Sequence, residues 1–458
     1  MKYVVFTIAM LGVPPLAFML FIYRRLVKYV VWAMFGALCL YIPTSINFFS
    51  NETYRGSARG MEVSVLHLLS LALLLSLAMR CRLGKILPET GFFLYVGYFL
   101  LCLPSFSTAA DGLIAWYETW KMIMLFVFYL AIYKYLDVCD GFRSTIAALA
   151  VFTIFNALAV VKQHFGGVYQ AHGFFPHQNC LAMAMTMLAP LFFAVYLQDG
   201  LRNGFSRLCV LAFFCAVGAT VWTYSRGGLA MIPIGSGIPA AVALFKRGSR
   251  LRTIKRLAPI ALVGVIGVAA VLPRVVQRFQ EAPEESGNTR IELANCAAEM
   301  IADEPLCGVG INNWGIKINP PYEYAERAGR NPNRGEDFKD GVVETVYLLV
   351  CAECGIPALV AMLCWFGWHW LSCIRLLGRL KGTSIACIPA GILGGLTVNY
   401  MQSALEWVLR QQMNLILLMT VFAIVSYLNR NAHALRASAS GVCGQAARRV
   451  PEVAHKGD

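Results

Sequence analysis

Two arginines in polar stretches between apolar segments have side chains suited to phosphate. Arg226 lies in the stretch 223–228, directly before Gly227 and Gly228. A guanidinium presents a planar fork of donors that matches phosphate oxygens, and glycines allow a ligand to come close to the backbone. The sequence therefore favours an anionic ligand at Arg226, with snorkelling of this side chain to lipid phosphate as the alternative.

Arg290 precedes a predicted amphipathic helix. Apolar residues recur at helical spacing over 291–301, and Asn288 or Thr289 could act as its N-cap. In the first turn a cation opposes the helix dipole, so we expect Arg290 to have an anionic partner. The alternative to a ligand is a surface ion pair with one of the nearby acids Glu281, Glu284 and Glu285.

Glu344 and Glu353 lie nine residues apart at the head of a long apolar stretch. At 100° per residue they should face opposite sides of one helix, with Glu353 about 13 Å deeper. We expect Glu344 to reach an external ligand and Glu353 to tie helices together by hydrogen bonds. Ionisable residues within membrane spans are functional candidates by default. Four more lie near the outer ends of other spans: Glu118, Lys121, Glu406 and Arg410.

His177 and Asn179 lie just before another apolar segment, in the stretch 171–182. From there, polar side chains can point into the mouth of a helix bundle. The alternative is an interfacial turn, with Phe174 and Phe175 as aromatic anchors at the headgroup level.

Composition indicates which elements must position these residues. The 458-residue chain is 58% hydrophobic and 14% charged, with a mean hydropathy of +0.61. Since soluble domains are roughly a quarter charged, many membrane spans are favoured over one large soluble core. About thirteen apolar stretches have the roughly 17 to 25 residues that a span needs. They lie near 3–22, 29–47, 63–80, 87–106, 117–134, 144–161, 179–197, 207–223, 228–245, 257–273, 343–371, 384–403 and 408–428.

The charge distribution assigns sides to these segments. The net charge is +14, from 39 basic and 25 acidic residues. The basic residues form short runs in every second connection, which is the positive-inside pattern and not a patch for nucleic acid. The alternation predicts four polar stretches on the external face: 162–178, 223–228, the long loop, and the turn around Glu406.

The sequence thus predicts an all-α polytopic membrane protein with about 12 to 13 transmembrane helices and one large periplasmic loop carrying short helices. The predicted regions are N-terminal spans in 1–273, the loop in 274–342, C-terminal spans in 343–428, and a partly disordered cytoplasmic tail in 429–458. Cys296 and Cys307 share the loop and could form a disulfide in an oxidising compartment.

Several motifs in this order resemble the O-antigen ligase and polymerase superfamily of bacterial membrane glycosyltransferases. The matching residues are 175–182 (FPHQNCLA), 224–228 (YSRGG), Arg290, 304–310 (EPLCGVG), Tyr347-Leu348 and 353–355 (ECG). The resemblance implies a GT-C-like membrane fold. It also implies a multi-pass protein of the bacterial inner membrane with its active site facing the periplasm.

The resemblance implies transfer of a glycan from undecaprenyl pyrophosphate to an acceptor hydroxyl, on lipid A-core or another glycan, without metal or cofactor. The superfamily's two functional arginines fall on Arg226 and Arg290. Its usual His-Asn pair falls on Glu344 and Thr345, so Glu344 becomes the candidate base. The arginines would stabilise the leaving diphosphate in place of an Asp-x-Asp metal site, which this sequence lacks. A single displacement predicts inversion at the sugar carbon.

Beside the catalytic candidates Arg226, Arg290 and Glu344, we expect further residues to bind substrate. They are Lys121, His177, Asn179, Asn313, Trp314, Tyr347, Glu406 and Arg410. Chain polymerisation of an O-antigen or exopolysaccharide is an alternative within the same superfamily. A flippase or transporter of polyprenol-linked glycans is an alternative from another class. A transporter would need charged residues along a path through the bundle, whereas most of those here cluster at one face.

Overall fold

The computed structural model describes residues 2–80, 90–245, 250–262, 264, 284–330, 341–383 and 385–439. Within these ranges, nine helical segments are long and apolar enough to cross a membrane. The predicted all-α polytopic membrane fold is therefore confirmed. The described residues add one short antiparallel hairpin, β1 (Ile46–Phe48) with β2 (Met61–Val63), in which Asn47 lies opposite Glu62.

The described residues of the first half of the chain form eight α-helices. They are α1 (Lys2–Leu11), α2 (Val13–Ile22), α3 (Val27–Cys39), α4 (Tyr41–Thr44), α5 (Val65–Ala78), α6 (Thr90–Cys102), α7 (Gly112–Cys139) and α8 (Phe142–Phe165). Short 3₁₀ turns occupy Arg24–Leu26 and Leu103–Ser107. The hairpin lies between α4 and α5, so it shares one end of the bundle with the start of α7.

The second half continues with longer helices and the elaborated loop. Its helices are α9 (Gln178–Asp199), α10 (Gly204–Trp222), α11 (Arg226–Phe245), α12 (250–262), α13 (Glu284–Asp303), α14 (Trp314–Lys317), α15 (Tyr324–Arg327), α16 (Val346–Arg379), α17 (Ile388–Ser403) and α18 (Gln412–Ala439). A 3₁₀ turn, Val408–Arg410, joins α17 to α18. Helices α13 to α15 are the short helices that the sequence predicts for the loop.

Three predicted spans correspond to helices shorter than a full span. The stretches 29–47, 63–80 and 384–403 overlap α3, α5 and α17, which have 13, 14 and 16 residues. The stretch 257–273 lies mostly outside the described residues.

Helix α9 is the centre of the bundle, because its whole apolar window is buried by protein. It packs against α10, α11 and α17. Glycines make the α17 contacts close: a Cβ at Gly394 would overlap the carbonyl oxygen of Gly235, and one at Gly395 would overlap that of Met187. Small residues of this kind let membrane helices approach backbone to backbone. This packing brings together the start of α9, the start of α11 and the end of α17.

The two ends of the bundle differ in charge. At one end, basic side chains close the helix ends: Arg24 donates to the Val138 carbonyl (2.6 Å), and Arg379 donates to Asn429 Oδ1 (2.9 Å). The hairpin, the long loop and the turn around Glu406 lie at the opposite end. This is the separation that the alternating basic runs predict.

Helix α16 is interrupted where the sequence suggests one continuous helix. Gly355 has φ 82° and ψ 171°, so the helical path breaks there. The loop fills the break: Val309 N donates to the Ala352 carbonyl (2.8 Å), and Ile356 N donates to the Pro305 carbonyl (2.8 Å). The motif at 304–310 therefore packs directly against the glycine at 355.

Three local predictions need correction. Helix α13 is already present at Glu284, so Arg290 lies well inside it and neither Asn288 nor Thr289 is its N-cap. Glu344 precedes α16, so the angular argument relating it to Glu353 does not apply.

Two further predictions concern the loop cysteines and the C-terminal tail. Cys296 and Cys307 are not joined in a disulfide. Helix α18 continues to Ala439, past the predicted start of the tail at residue 429. The remainder of the predicted tail lies outside the described residues.

Candidate active site

Arg290 and two glutamates form the centre of the site. The Arg290 guanidinium pairs with Glu344, and its Nη2 lies 3.6 Å from Glu406 Oε1. Asn179 Nδ2 donates to the same Glu406 oxygen at 2.9 Å. The site therefore brings together residues from four parts of the chain: α13, the segment before α16, the turn after α17 and the start of α9.

Arg226 belongs to the same electrostatic neighbourhood. It is the first residue of α11, after a sharp turn at Tyr224 (φ 51°). Its positive charge contributes to lowering the pKa of Glu406, against larger opposing effects. Gly227 lies against α17, since a Cβ built there would be 3.8 Å from Gln402 Nε2. Arg226, at the N-terminus of α11, therefore adds positive charge to this region.

His177 caps the helix that supplies Asn179. Its Nδ1 accepts a hydrogen bond from the Asn179 backbone amide at 3.2 Å. Partial burial lowers the pKa of His177 and nearby His172 adds to this effect, whereas the Glu344 carboxylate opposes it. His177 is thus close enough to Glu344 for the carboxylate charge to affect the pKa of the imidazole.

Glu406 is the most perturbed carboxyl of the group. Burial raises the pKa of Glu406 to about 7, with a further contribution from the Glu344 carboxylate. Arg290, Asn179 and Arg226 oppose the increase. Near neutral pH this carboxyl therefore carries only part of a negative charge. Two guanidinium groups then face fewer than two carboxylate charges, which leaves the cluster able to attract an anion.

A second charged network lies deeper in the bundle. Arg410 pairs with Glu118 (2.9 Å) and Glu353 (2.6 Å), and Lys121 pairs with Glu118 (2.6 Å). Lys121 Nζ also donates to the carbonyls of Ser57 (3.2 Å) and Arg410 (3.0 Å). The prediction that Glu353 ties helices together is confirmed. Lys121 and Arg410 serve this network, and the structure does not bring them to Arg290.

Three further residues that the sequence predicts to bind substrate form hydrogen bonds within the protein. Asn313 is fully buried and accepts a hydrogen bond from the Asp111 amide (2.8 Å), which fastens the loop to the start of α7. The Trp314 indole donates to the Gly341 carbonyl (3.1 Å) within the loop. The Tyr347 hydroxyl donates to the Tyr400 carbonyl (2.8 Å) and joins α16 to α17. Substrate binding by these residues stays a prediction.

The hairpin segment beside the site was not predicted from the sequence. The segment 45–63 borders a cavity of about 680 Å³ that also contacts Pro176 and Gln411. The loop holds this segment in place, because Asn312 Nδ2 donates to the Ala58 carbonyl (2.8 Å) and the Tyr54 hydroxyl donates to the Asn312 carbonyl. The alternation of basic runs was the available signal, since it also puts 48–62 on the external face.

Residues 211–363 match the family model described as O-Antigen ligase. The matched range contains Arg226, Arg290 and Glu344, whereas Asn179 and Glu406 lie on either side of it. Among curated proteins, no match is found. Within the described residues, no group of three or more His, Cys, Asp or Glu side chains is arranged to hold a metal ion.

Proposed function

We propose that the chain is a glycosyltransferase of the O-antigen ligase and polymerase superfamily that uses an undecaprenyl-pyrophosphate-linked glycan. In this proposal the glycan passes to an acceptor hydroxyl, on lipid A-core or another glycan, as in an O-antigen ligase. The observation that carries the proposal is the meeting of Arg226, Arg290, Glu344 and Glu406 at one end of the bundle.

Arg290 and Arg226 would bind the diphosphate of the donor. Glu344 pairs with the Arg290 guanidinium. Diphosphate oxygens carry more charge and match the same fork of donors, so the donor displaces this carboxylate. Positioned cations stabilise the charge that develops on the departing diphosphate, and removal of one such group typically costs about 10² to 10³ in rate.

Displacement from Arg290 makes Glu344 available as the base. Its carboxylate takes the proton of the acceptor hydroxyl, and the hydroxyl oxygen attacks the anomeric carbon. The bond from that carbon to the diphosphate oxygen breaks, and its electron pair leaves with the diphosphate. One displacement from the face opposite the leaving group inverts the sugar carbon. General base catalysis of this type contributes about 10² to 10⁴.

The charge distribution supports a periplasmic site in the inner membrane. Arg24, Arg379 and other basic residues lie at the end of the bundle opposite the Arg290 cluster. The positive-inside rule assigns that basic end to the cytoplasm. The cluster and the long loop then face the periplasm, where lipid-linked glycans meet their acceptors.

A reconstituted reaction tests the proposal. The purified protein, in nanodiscs, is given lipid-linked glycan and acceptor with EDTA present. We expect product from the wild type and from Arg327→Ala, a matched control whose guanidinium pairs with Asp303 (2.6 Å) away from the site. We expect no product from Arg226→Ala or Arg290→Ala. Full activity in both variants would contradict the assignment.

Product analysis distinguishes the alternatives. A ladder of lengthening glycan on the carrier would identify a polymerase, and capped acceptor would identify a ligase. Movement of lipid-linked glycan across proteoliposomes without any new covalent product would favour a transporter.

A further inference from the structure

The cavity beside the hairpin is lined by both polar and apolar groups. Its volume of about 680 Å³ falls in the range of roughly 300 to 1,000 Å³ that is usual for ligand sites. The hairpin forms one wall, and Trp120 and Lys121 of α7 and the first turn of α18 form others. Two acidic residues, Glu52 and Glu62, and two basic residues, Arg59 and Lys121, line it. This balance of charge favours an uncharged polar ligand over a phosphate.

Trp120 supplies an aromatic surface to this cavity. Its indole N–H donates to the Glu62 carbonyl at 3.2 Å, which fixes the ring against the hairpin. The ring is half-buried, so part of its surface is available to a ligand. An aromatic face beside a few fixed polar groups is a common arrangement in small-ligand sites, and the C–H face of a sugar ring packs well on such a face.

The cavity and the Arg290 cluster are built from the same two chain segments. Pro176 and Gln412 line the cavity, whereas Asn179 and Glu406, a few residues away on each segment, belong to the cluster. A glycan bound in the cavity would therefore lie beside the place where the diphosphate is held.

From these observations we propose that the hairpin cavity is a carbohydrate subsite. Trp120 stacks on a sugar ring, and the polar side chains that line the cavity beside it hydrogen-bond to sugar hydroxyls. This inference rests on the proposed function only for its choice of glycan, since either the acceptor or the donor could supply the sugar.

Binding to released oligosaccharides tests the subsite separately from catalysis. The probes are the sugar portion of the acceptor freed from its lipid and the glycan freed from the carrier diphosphate, each added to protein in nanodiscs. Binding is followed by saturation-transfer NMR. We expect Trp120→Leu to weaken binding of one probe by roughly tenfold. Trp116→Leu, an exposed tryptophan one turn earlier on α7, should bind like the wild type.

Two further variants keep the test decisive. Ser50→Trp would fill the cavity without removing a packing contact of the core, and it should abolish binding. Arg226→Ala should lose transfer and keep binding. In the transfer assay, Ser50→Trp should raise KM for the substrate whose sugar binds and leave KM for the other unchanged.

Each outcome separates the two proposals. Binding that depends on Trp120 in a protein without transfer activity would overturn the function and keep the subsite. Transfer with unchanged KM and unchanged binding in Trp120→Leu and Ser50→Trp would overturn the subsite and keep the function. Absence of binding by both probes, with KM unchanged in Ser50→Trp, would leave a water-filled cavity and would also overturn the subsite.

Discussion

Glu406 Oε1 lies 3.6 Å from Arg290 Nη2, and the same guanidinium pairs with Glu344. One arginine therefore links two carboxyls that come from separate parts of the chain. Each carboxyl affects the other, because the Glu344 charge contributes to the raised pKa of Glu406. A ligand that binds Arg290 therefore changes the electrostatic surroundings of both carboxyls.

Glu406 should make the folded protein less stable as pH rises. Its pKa is raised from 4.5 to about 7, so the folded state holds a proton that the unfolded state releases. The stabilisation from that proton is complete below about 4.5 and is lost as pH rises through about 7. We expect the wild-type Tm to fall between about pH 5 and about pH 7 more steeply than that of Glu406→Gln.

Thermal unfolding in nanodiscs, followed by tryptophan fluorescence, would measure this difference. Glu326→Gln is the control, because Glu326 is exposed on α15. It should keep the wild-type pH slope. Equal slopes in the wild type and Glu406→Gln would rule out a raised pKa at this position.

Glu344→Gln should lower turnover by about 10² to 10⁴ if Glu344 is the base. Glutamine keeps the size of the side chain and cannot accept a proton at neutral pH, so kcat should fall more than KM changes. Glu344→His would restore part of the activity, since a neutral imidazole is also a base. Single-turnover kinetics with lipid-linked donor would measure both variants. Unchanged turnover in Glu344→Gln would exclude it as the base and leave the family assignment intact.

Arg226, Arg290 and Glu344 could be chosen as candidates from the sequence, because charged residues are few among so many apolar ones. It did not reveal that Asn179 contacts Glu406, since residues 227 positions apart meet only through the packing of α9 on α17. Helical periodicity describes one element and carries no information on its partners.

The predicted ligand contacts at Asn313 and Trp314 illustrate a different limit. Polar and aromatic residues in a loop can contact a ligand or fasten the loop, and sequence does not distinguish these uses. Here they fasten it, with Asn313 bound to the Asp111 amide at 2.8 Å. Likewise, the charges of Lys121 and Arg410 marked an important region, but their partners are buried carboxylates.

Arg410→Met should destabilise the protein strongly. Arg410 is the shared partner of Glu118 and Glu353, and all three side chains are at least nine-tenths buried. Removal of one partner from a buried ionic network leaves uncompensated charge and typically costs about 3 to 5 kcal/mol. Denaturant titration in mixed micelles would measure the free energy of unfolding. The control Arg327→Met breaks exposed pairs with Glu299 and Asp303 and should leave stability nearly unchanged. Equal stability of the two variants would contradict a structural role for the network.

Gly355→Ala should damage the contact between the long loop and α16. Gly355 has φ 82° and ψ 171°, a conformation that is essentially confined to glycine, and an added Cβ would overlap the Leu306 carbonyl. Backbone strain of this type costs about 1 to 3 kcal/mol, and the overlap with the loop adds to it.

The matched control is Gly367→Ala on the same helix, where an added Cβ meets no atom within 4 Å. Its Tm should equal or exceed that of the wild type, because alanine favours a helix over glycine. A lower Tm in Gly355→Ala together with easier proteolysis of the loop would support the contact, whereas equal behaviour of the two variants would show that the loop does not depend on the break in α16.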